Sequence, residues 1–192
     1  MRAIPALFAT LLVASVASAD SAEWAIDASH SNVGFSIAHL VVSSVKGHFK
    51  DVTGKVTLEE PDLSKSTAEL SIKVDSIDTG DAKRDAHLKG ADFFDAAKYP
   101  LITFHATKIV RGGKGFKVTG DLKIRDVSKS VTLDGKLSRA IKSPWGKDVR
   151  GAEFSGKIKR ADFGLTWNKA LETGGVVVGD EVALDVTLEL NK

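Results

Sequence analysis

Polar and apolar residues alternate at every second position along most of this chain. Val33, Phe35 and Ile37 are spaced by Gly34, Ser36 and Ala38, and Ala68, Leu70, Ile72 and Val74 by Glu69, Ser71 and Lys73. The same period returns in Phe116, Val118, Leu122 and Ile124, then in Val131, Leu133 and Leu137. It recurs in Ala152, Phe154 and Ile158, and last in Val182, Leu184, Val186, Leu188 and Leu190. Successive side chains of a strand point to opposite faces, so this spacing predicts strands with one dry and one wet face, the antiparallel habit. Turn-forming groups separate them: Pro61-Asp62, Arg111-Gly112-Gly113, Asp126 to Lys129, Ser143-Pro144-Trp145-Gly146 and Gly179-Asp180. Counting from Trp24, the pattern gives about eight strands. The last, ending at Leu190, is apolar along one face and would be an aggregation hazard at an open edge. Closing the sheet removes that edge. The pattern therefore predicts an all-β fold, an up-and-down antiparallel barrel with its apolar face inward; a two-sheet sandwich is the alternative.

Three departures from the alternation refine this expectation. Val45, Gly47 and Phe49 share one phase, and Val52, Gly54, Val56 and Leu58 another, which predicts a bulge or sharp bend near Lys50-Asp51. Gly47, Gly54, Gly120, Gly135 and Gly156 fall in phase with the inward residues of their strands. Such glycines let barrel strands coil, or leave volume unfilled along the axis, and both can hold together. The third departure is the stretch from Thr79 to Phe104. Thr79 is a candidate N-cap, charges follow at helical spacing, and Lys89-Gly90 is a stop, which predicts a helix of about two turns. Phe93-Phe94 comes next, and at least one of these rings must pack into the body of the protein. Tyr99-Pro100 leads into another strand. This stretch is either an excursion that plugs one end of the barrel or a wall over a cavity.

Composition narrows the setting. Met1-Arg2, an apolar run from Ala3 to Val16, and Ala17-Ser18-Ala19 read as a signal peptide cleaved after Ala19, so residues 1–19 are expected to be removed and the protein exported to the periplasm. The remaining 173 residues, 20–192, suffice for one domain with a real core. The whole chain has formal net charge +2 at pH 7, and losing Arg2 leaves +1. That balance carries no nucleic-acid footprint, and the apolar run, shorter than the roughly 20 residues a span needs, gives no expectation of stable membrane insertion. The chain has no cysteine, which excludes disulfides, thiolate chemistry and a lipoprotein anchor.

Candidate chemistry is sparse. The five histidines, His30, His39, His48, His87 and His105, form no His-x-His or His-Glu-x-x-His pair, so no metal is expected. His39 follows Ile37 in phase and is placed inward near a barrel end, where it either satisfies the core or meets a ligand head group. Asp27, Ser29, His30 and Ser31 contain the residue types of a hydrolase, but without a Gly-x-Ser-x-Gly elbow they read better as turn formers. Gly112-Gly113-Lys114-Gly115 has no following helix and is a hairpin turn, not a phosphate loop. Lys83, Arg84, Lys89 and Lys98 gather around the helical stretch, as a solvated face or as partners of an anionic head group at a cavity rim.

Specific motifs then carry a resemblance: Trp24-x-Ile26-Asp27-x-x-His30-Ser31-x-Val33-x-Phe35-x-x-x-His39, Gly47-x-Phe49, and Ile77-Asp78-Thr79. Further pieces are Arg84-Asp85-x-His87-Leu88, Asp92-Phe93-Phe94-Asp95, Tyr99-Pro100-x-Ile102-Thr103-Phe104, Val118-x-Gly120-x-Leu122-x-Ile124-Arg125, Val131-x-Leu133 and Asp162-Phe163-Gly164. In this order the chain resembles the YceI-like, polyisoprenoid-binding family of exported bacterial proteins. Asp126 and Ser130 stand where that family often has Gly and Pro, and His48 where it often has Arg. The resemblance implies an extended eight-stranded, lipocalin-like antiparallel barrel with one or two short helices over residues 20–192. It also implies an apolar tunnel for a long isoprenoid or other lipid, and homodimers. The expected lining is Phe35, Ile37, Phe49, Ile102, Phe104 and Phe154, with Phe93 or Phe94 closing one end and His39 at the polar end. A lipid is the expected ligand, with no catalytic residue, metal or cofactor. Hydrolysis of small lipophilic esters through His30 or His39, and a packed barrel acting only as an interaction module, are the alternatives.

Overall fold

The computed structural model of the protein describes residues 20–40, 42–170 and 176–192. The expected signal peptide, residues 1–19, lies outside the described residues. The chain begins with strand β1 (Asp20–His39), turns into β2 (Ser43–Phe49) and continues as β3 (Val52–Glu60). The break at Lys50-Asp51 falls where the apolar phase changes, so the expected bend is a strand interruption. A 3-10 turn, Leu63–Lys65, leads to β4 (Thr67–Lys73) and a second, Val74–Ser76, to the short β5 (Ile77–Asp78). Helix α1 (Ala82–Lys89) precedes the hairpins β6 (Leu101–Gly112), β7 (Gly115–Ile124) and β8 (Val127–Leu137). The chain ends with β9 (Ile141–Lys142), β10 (Asp148–Lys159), a 3-10 turn at Arg160–Phe163 and β11 (Val178–Asn191).

Eight of these strands form a closed antiparallel ring, in the order β1-β3-β4-β6-β7-β8-β10-β11, with β11 pairing back onto β1. The closing register sets Val33 against Val186, Phe35 against Leu184 and Ile37 against Val182. The long apolar β11 thus has a partner on each edge, which removes the open edge that its sequence made costly. Its inward residues Leu188 and Leu190 are 2% and 1% exposed, and full burial of such a side chain is worth roughly 1.5–3 kcal/mol. Besides β11, β1 pairs with two further strands: Asp20–Ala25 with β3, and Val33–His39 with β2. Between Asp27 and Asn32 its register with β11 slips, so a bulge moves the inward phase from Trp24 and Ile26 to Val33 and Phe35.

The helix is as short as expected, but its cap differs. Asp81, not Thr79, is the N-cap, and its Oδ1 accepts from the amides of Lys83 (2.9 Å) and Arg84 (3.0 Å). Thr79 is instead consumed by packing the helix down. Its hydroxyl donates to Asp85 Oδ1 at 2.5 Å and accepts from Arg84 Nε at 2.7 Å, while its carbonyl accepts from Arg84 Nη2 at 2.7 Å. A bidentate Arg and a carboxylate on one threonine hold an eight-residue helix that is too short to persist alone.

Three of the five in-phase glycines share one use. Phe35 lies over Gly47, Phe104 over Gly120 and Phe116 over Gly135; an added Cβ would stand 2.5, 2.4 and 2.4 Å from the respective ring. Each ring therefore takes the space that a side chain on the neighbouring strand would have filled. The glycines do not themselves leave voids. They let large rings lie along the wall and so keep the axis clear.

Candidate functional site

The ring of strands encloses a cavity of about 580 Å³, within the range of small-molecule sites. Its wall runs from one barrel end to the other. At the first end Leu58, Leu63, Ser66, Ala152 and Leu190 are all buried, and the Leu63–Lys65 turn closes the barrel. Ser66 is the polar residue of this end, and its Oγ accepts from the amide of Glu59 at 2.9 Å. Outside the cavity wall, buried Arg150 reinforces the same end. It donates to the Ser138 carbonyl (2.7 Å) and Glu60 (3.2 Å), and lies 5.5 Å from the Trp24 ring.

At the opposite end the lining residues Ala38, Asp81, Lys83 and His87 are exposed, so the cavity opens between α1 and the start of β11. The stretch from Thr79 to Phe104 thus walls the cavity rather than plugging it. Phe49 packs edge-on against Phe94 with centroids 5.8 Å apart. Phe93, Trp167 and His87 form a cluster, with centroids 5.0 Å apart for His87–Phe93, 4.9 Å for His87–Trp167 and 5.2 Å for Phe93–Trp167.

All nine residues expected from the sequence, Phe35, Ile37, His39, Phe49, Phe93, Phe94, Ile102, Phe104 and Phe154, stand on this wall. His39 is half-buried at the open end, across from Val178. Of the four cations noted around the helix, Lys83 and Arg84 line the cavity. Arg160 and Trp167 also line it and were not anticipated. The signal for Arg160 was present in the alternation: it stands two residues beyond Ile158, in the inward phase of Ala152, Phe154 and Ile158.

Asp27, Ser29 and His30 meet on the β1 bulge, away from the cavity wall. Ser29 donates its hydroxyl to Asp27 Oδ1 (2.6 Å), and its amide donates to the same oxygen (2.9 Å). His30 Nδ1 lies 3.2 Å from Asp27 Oδ2 and 3.2 Å from Ser29 Oγ. A Ser-His-Asp relay uses the two different ring nitrogens, one toward the acid and one toward the nucleophile; here one nitrogen faces both. Glu189 Oε1 stands 3.6 Å from the same nitrogen. Hydrogen bonds from Ser29 above all hold the Asp27 carboxyl far below the usual carboxylate range. The hydrogen bond to Asp27, then the charges of Glu189 and Asp27, push His30 up from its usual value. This is an exposed ion-pair cluster that pins the bulge to β11.

Comparison with known proteins accords with this geometry. Residues 24–190 match the family model described as YceI-like domain. The chain is 41% identical over 160 residues to Protein YceI of Escherichia coli O17:K52:H18, covering 82% of this chain and 83% of that one. It superposes on Burkholderia cenocepacia BcnA with TM-score 0.75 at 26% identity, covering 85% of this chain and 98% of BcnA. It shares its fold with a polyisoprenoid binding domain from Saccharophagus degradans, TM-score 0.60 at 18% identity, over 87% of this chain and 97% of the other. With eight antiparallel strands closed around an end-to-end cavity and a family match spanning nearly all of residues 20–192, the chain belongs to the YceI-like domain family.

Proposed function

We infer that the protein binds a long-chain apolar lipid, a polyisoprenoid, an isoprenoid quinone or a similar molecule, inside the barrel. One observation carries this reading: a cavity of about 580 Å³ with an almost wholly apolar wall, open at one end. Water avoids such a space, and each methylene moved into it from water gains about 0.8 kcal/mol, so a long chain binds well with few polar contacts. The Saccharophagus degradans domain, which shares the fold, is named for polyisoprenoid binding. That likeness supports the reading by analogy of fold alone. Carriage, storage or sequestration in the periplasm, after cleavage behind Ala19, and assembly as a homodimer belong to the same reading.

Trp167 on the cavity wall is a built-in reporter. Titrating the protein with a C20 prenyl alcohol is expected to change its fluorescence saturably at one ligand per chain. Val131→Trp puts an indole into the lumen and is expected to abolish saturation while leaving the circular-dichroism spectrum of the barrel intact. Undiminished binding by that variant would move the ligand out of the barrel.

A further inference from the structure

The open end of the cavity is cationic, and the group that makes it so is buried. Arg160 is 6% exposed and lies on the cavity wall. Its partners are backbone carbonyls. Nε donates to Gly179 O (2.8 Å), Nη1 to Trp167 O (2.9 Å) and to Leu165 O, and Nη2 to Val178 O (3.4 Å). A guanidinium has five N–H groups, so one on Nη2 is left over. Neutral carbonyls take four of the hydrogens and none of the charge, and among the described residues Arg160 has no ion-pair partner. Burial pushes its pKa down from the ordinary arginine value, and the nearby Asp180 opposes this. Asp180 is itself occupied, with Oδ1 accepting from the Ala161 amide at 3.0 Å.

The other polar groups of the cavity converge on the same place. Val178, whose carbonyl takes one Arg160 hydrogen, stands opposite His39 in the sheet. Trp167, whose carbonyl takes another, packs its ring against His87 of α1. α1 also brings Lys83 and Arg84 to the wall. Arg84 Nη1 remains after Nε and Nη2 are spent on Thr79. Among the described residues the one acid that lines the cavity, Asp81, is committed to the helix amides as N-cap. Among the described residues the opposite end offers only the Ser66 hydroxyl to the cavity. The cavity is therefore polarised along its length, apolar in its depth and positive at its opening.

We propose that Arg160, with Lys83 and Arg84, selects among long-chain lipids for those whose polar end is an oxyanion, a carboxylate or a phosphate. This rests on the lipid-binding reading above. Oxyanions accept charge-assisted hydrogen bonds from guanidinium and ammonium groups, and the low-dielectric wall strengthens them. A cationic end would meet uncompensated like charge, and a hydroxyl would gain hydrogen bonds without the charge.

The test is competition among matched C20 prenyl ligands that differ only in the end group: phosphate, carboxylic acid, alcohol and amine. The phosphate and the acid are expected to bind at least about tenfold more tightly than the alcohol, with the amine weakest. Arg160→Gln, confirmed folded by circular dichroism, is expected to lose most of that ratio. Should this variant not fold, Lys83→Glu on exposed α1 gives the same readout, with Lys108→Glu on exposed β6, off the cavity wall, as the charge control. Equal affinity for all four ligands, or preference for the amine, overturns the proposal alone. Binding of none of the four overturns the lipid-binding reading itself.

Discussion

Placing a methyl group on Gly135 tests the idea that rings lying on glycines keep the lumen open. A Cβ there would stand 2.4 and 2.6 Å from Phe116 Cε2 and Cζ, its two nearest atoms. Carbon atoms rest at about 3.5–4.0 Å, so the ring must retreat by roughly 1.1–1.6 Å. β8 lies behind it, and Phe154 meets it edge-on at 5.9 Å, so the way out is toward the axis. Overpacking of this size costs typically 1–3 kcal/mol. For a chain of this length each kcal/mol lowers Tm by about 2–4 °C. A ring driven more than an ångström into the lumen displaces one or two methylenes of a bound chain. At about 0.8 kcal/mol each, the expected loss for Gly135→Ala is roughly four- to fifteenfold in affinity. The assay is thermal denaturation alongside displacement of a fluorescent lipid. Gly112→Ala is the control, since a Cβ there meets nothing within 4 Å. Adding Phe116→Leu to Gly135→Ala is expected to restore binding. Wild-type affinity and Tm for Gly135→Ala alone would refute the argument.

Three further outcomes follow from the same contacts. Asp81→Ala removes the acceptor for two helix amides and is expected to cost about 1 kcal/mol, read as faster amide exchange in Ala82–Lys89 while the strands keep their protection. Arg150→Met leaves the Ser138 carbonyl without its donor and is expected to lower stability by about 2 kcal/mol in denaturant titration. Glu60→Gln should change it little, because Glu60 is half exposed and such pairs are screened. An NMR titration of His30 is expected to give a pKa above its usual value near 6.5, falling back in Asp27→Asn. His30 therefore favours the fold below about pH 6.5, an effect lost as pH rises through the raised value. Asp27 acts oppositely: its contribution is present above the ordinary carboxylate range and disappears as pH falls through the depressed value.

Much of the architecture is legible in the chain because a barrel wall imposes period two, and the residues obey it. The alternation that placed Phe35, Ile37, Phe104 and Phe154 inward is the alternation of the cavity wall. The phase change at Lys50-Asp51 is the break between β2 and β3. What escaped depends on spatial neighbours. Thr79 has the chemistry of a cap, but Arg84 and Asp85 claim both its hydroxyl and its carbonyl, and the cap passes to Asp81. Gly47, Gly120 and Gly135 mark rings from adjacent strands lying over them, and that pairing exists only once the register is known. The bulge at residues 28–31 of β1 hides the switch of inward phase between Ile26 and Val33. Arg160 keeps the inward phase of β10, but a charged residue past an apolar run carries the pattern of a solvated strand end.

A lipid-binding barrel must be hollow for its guest. Gently purified protein, extracted with organic solvent and examined by mass spectrometry beside native mass spectrometry of the intact chain, tests this most directly. The prediction is a long-chain lipid at about one per chain, removed by extraction and restored by adding the lipid back. A chain that carries no lipid as purified and takes up none when offered would contradict it.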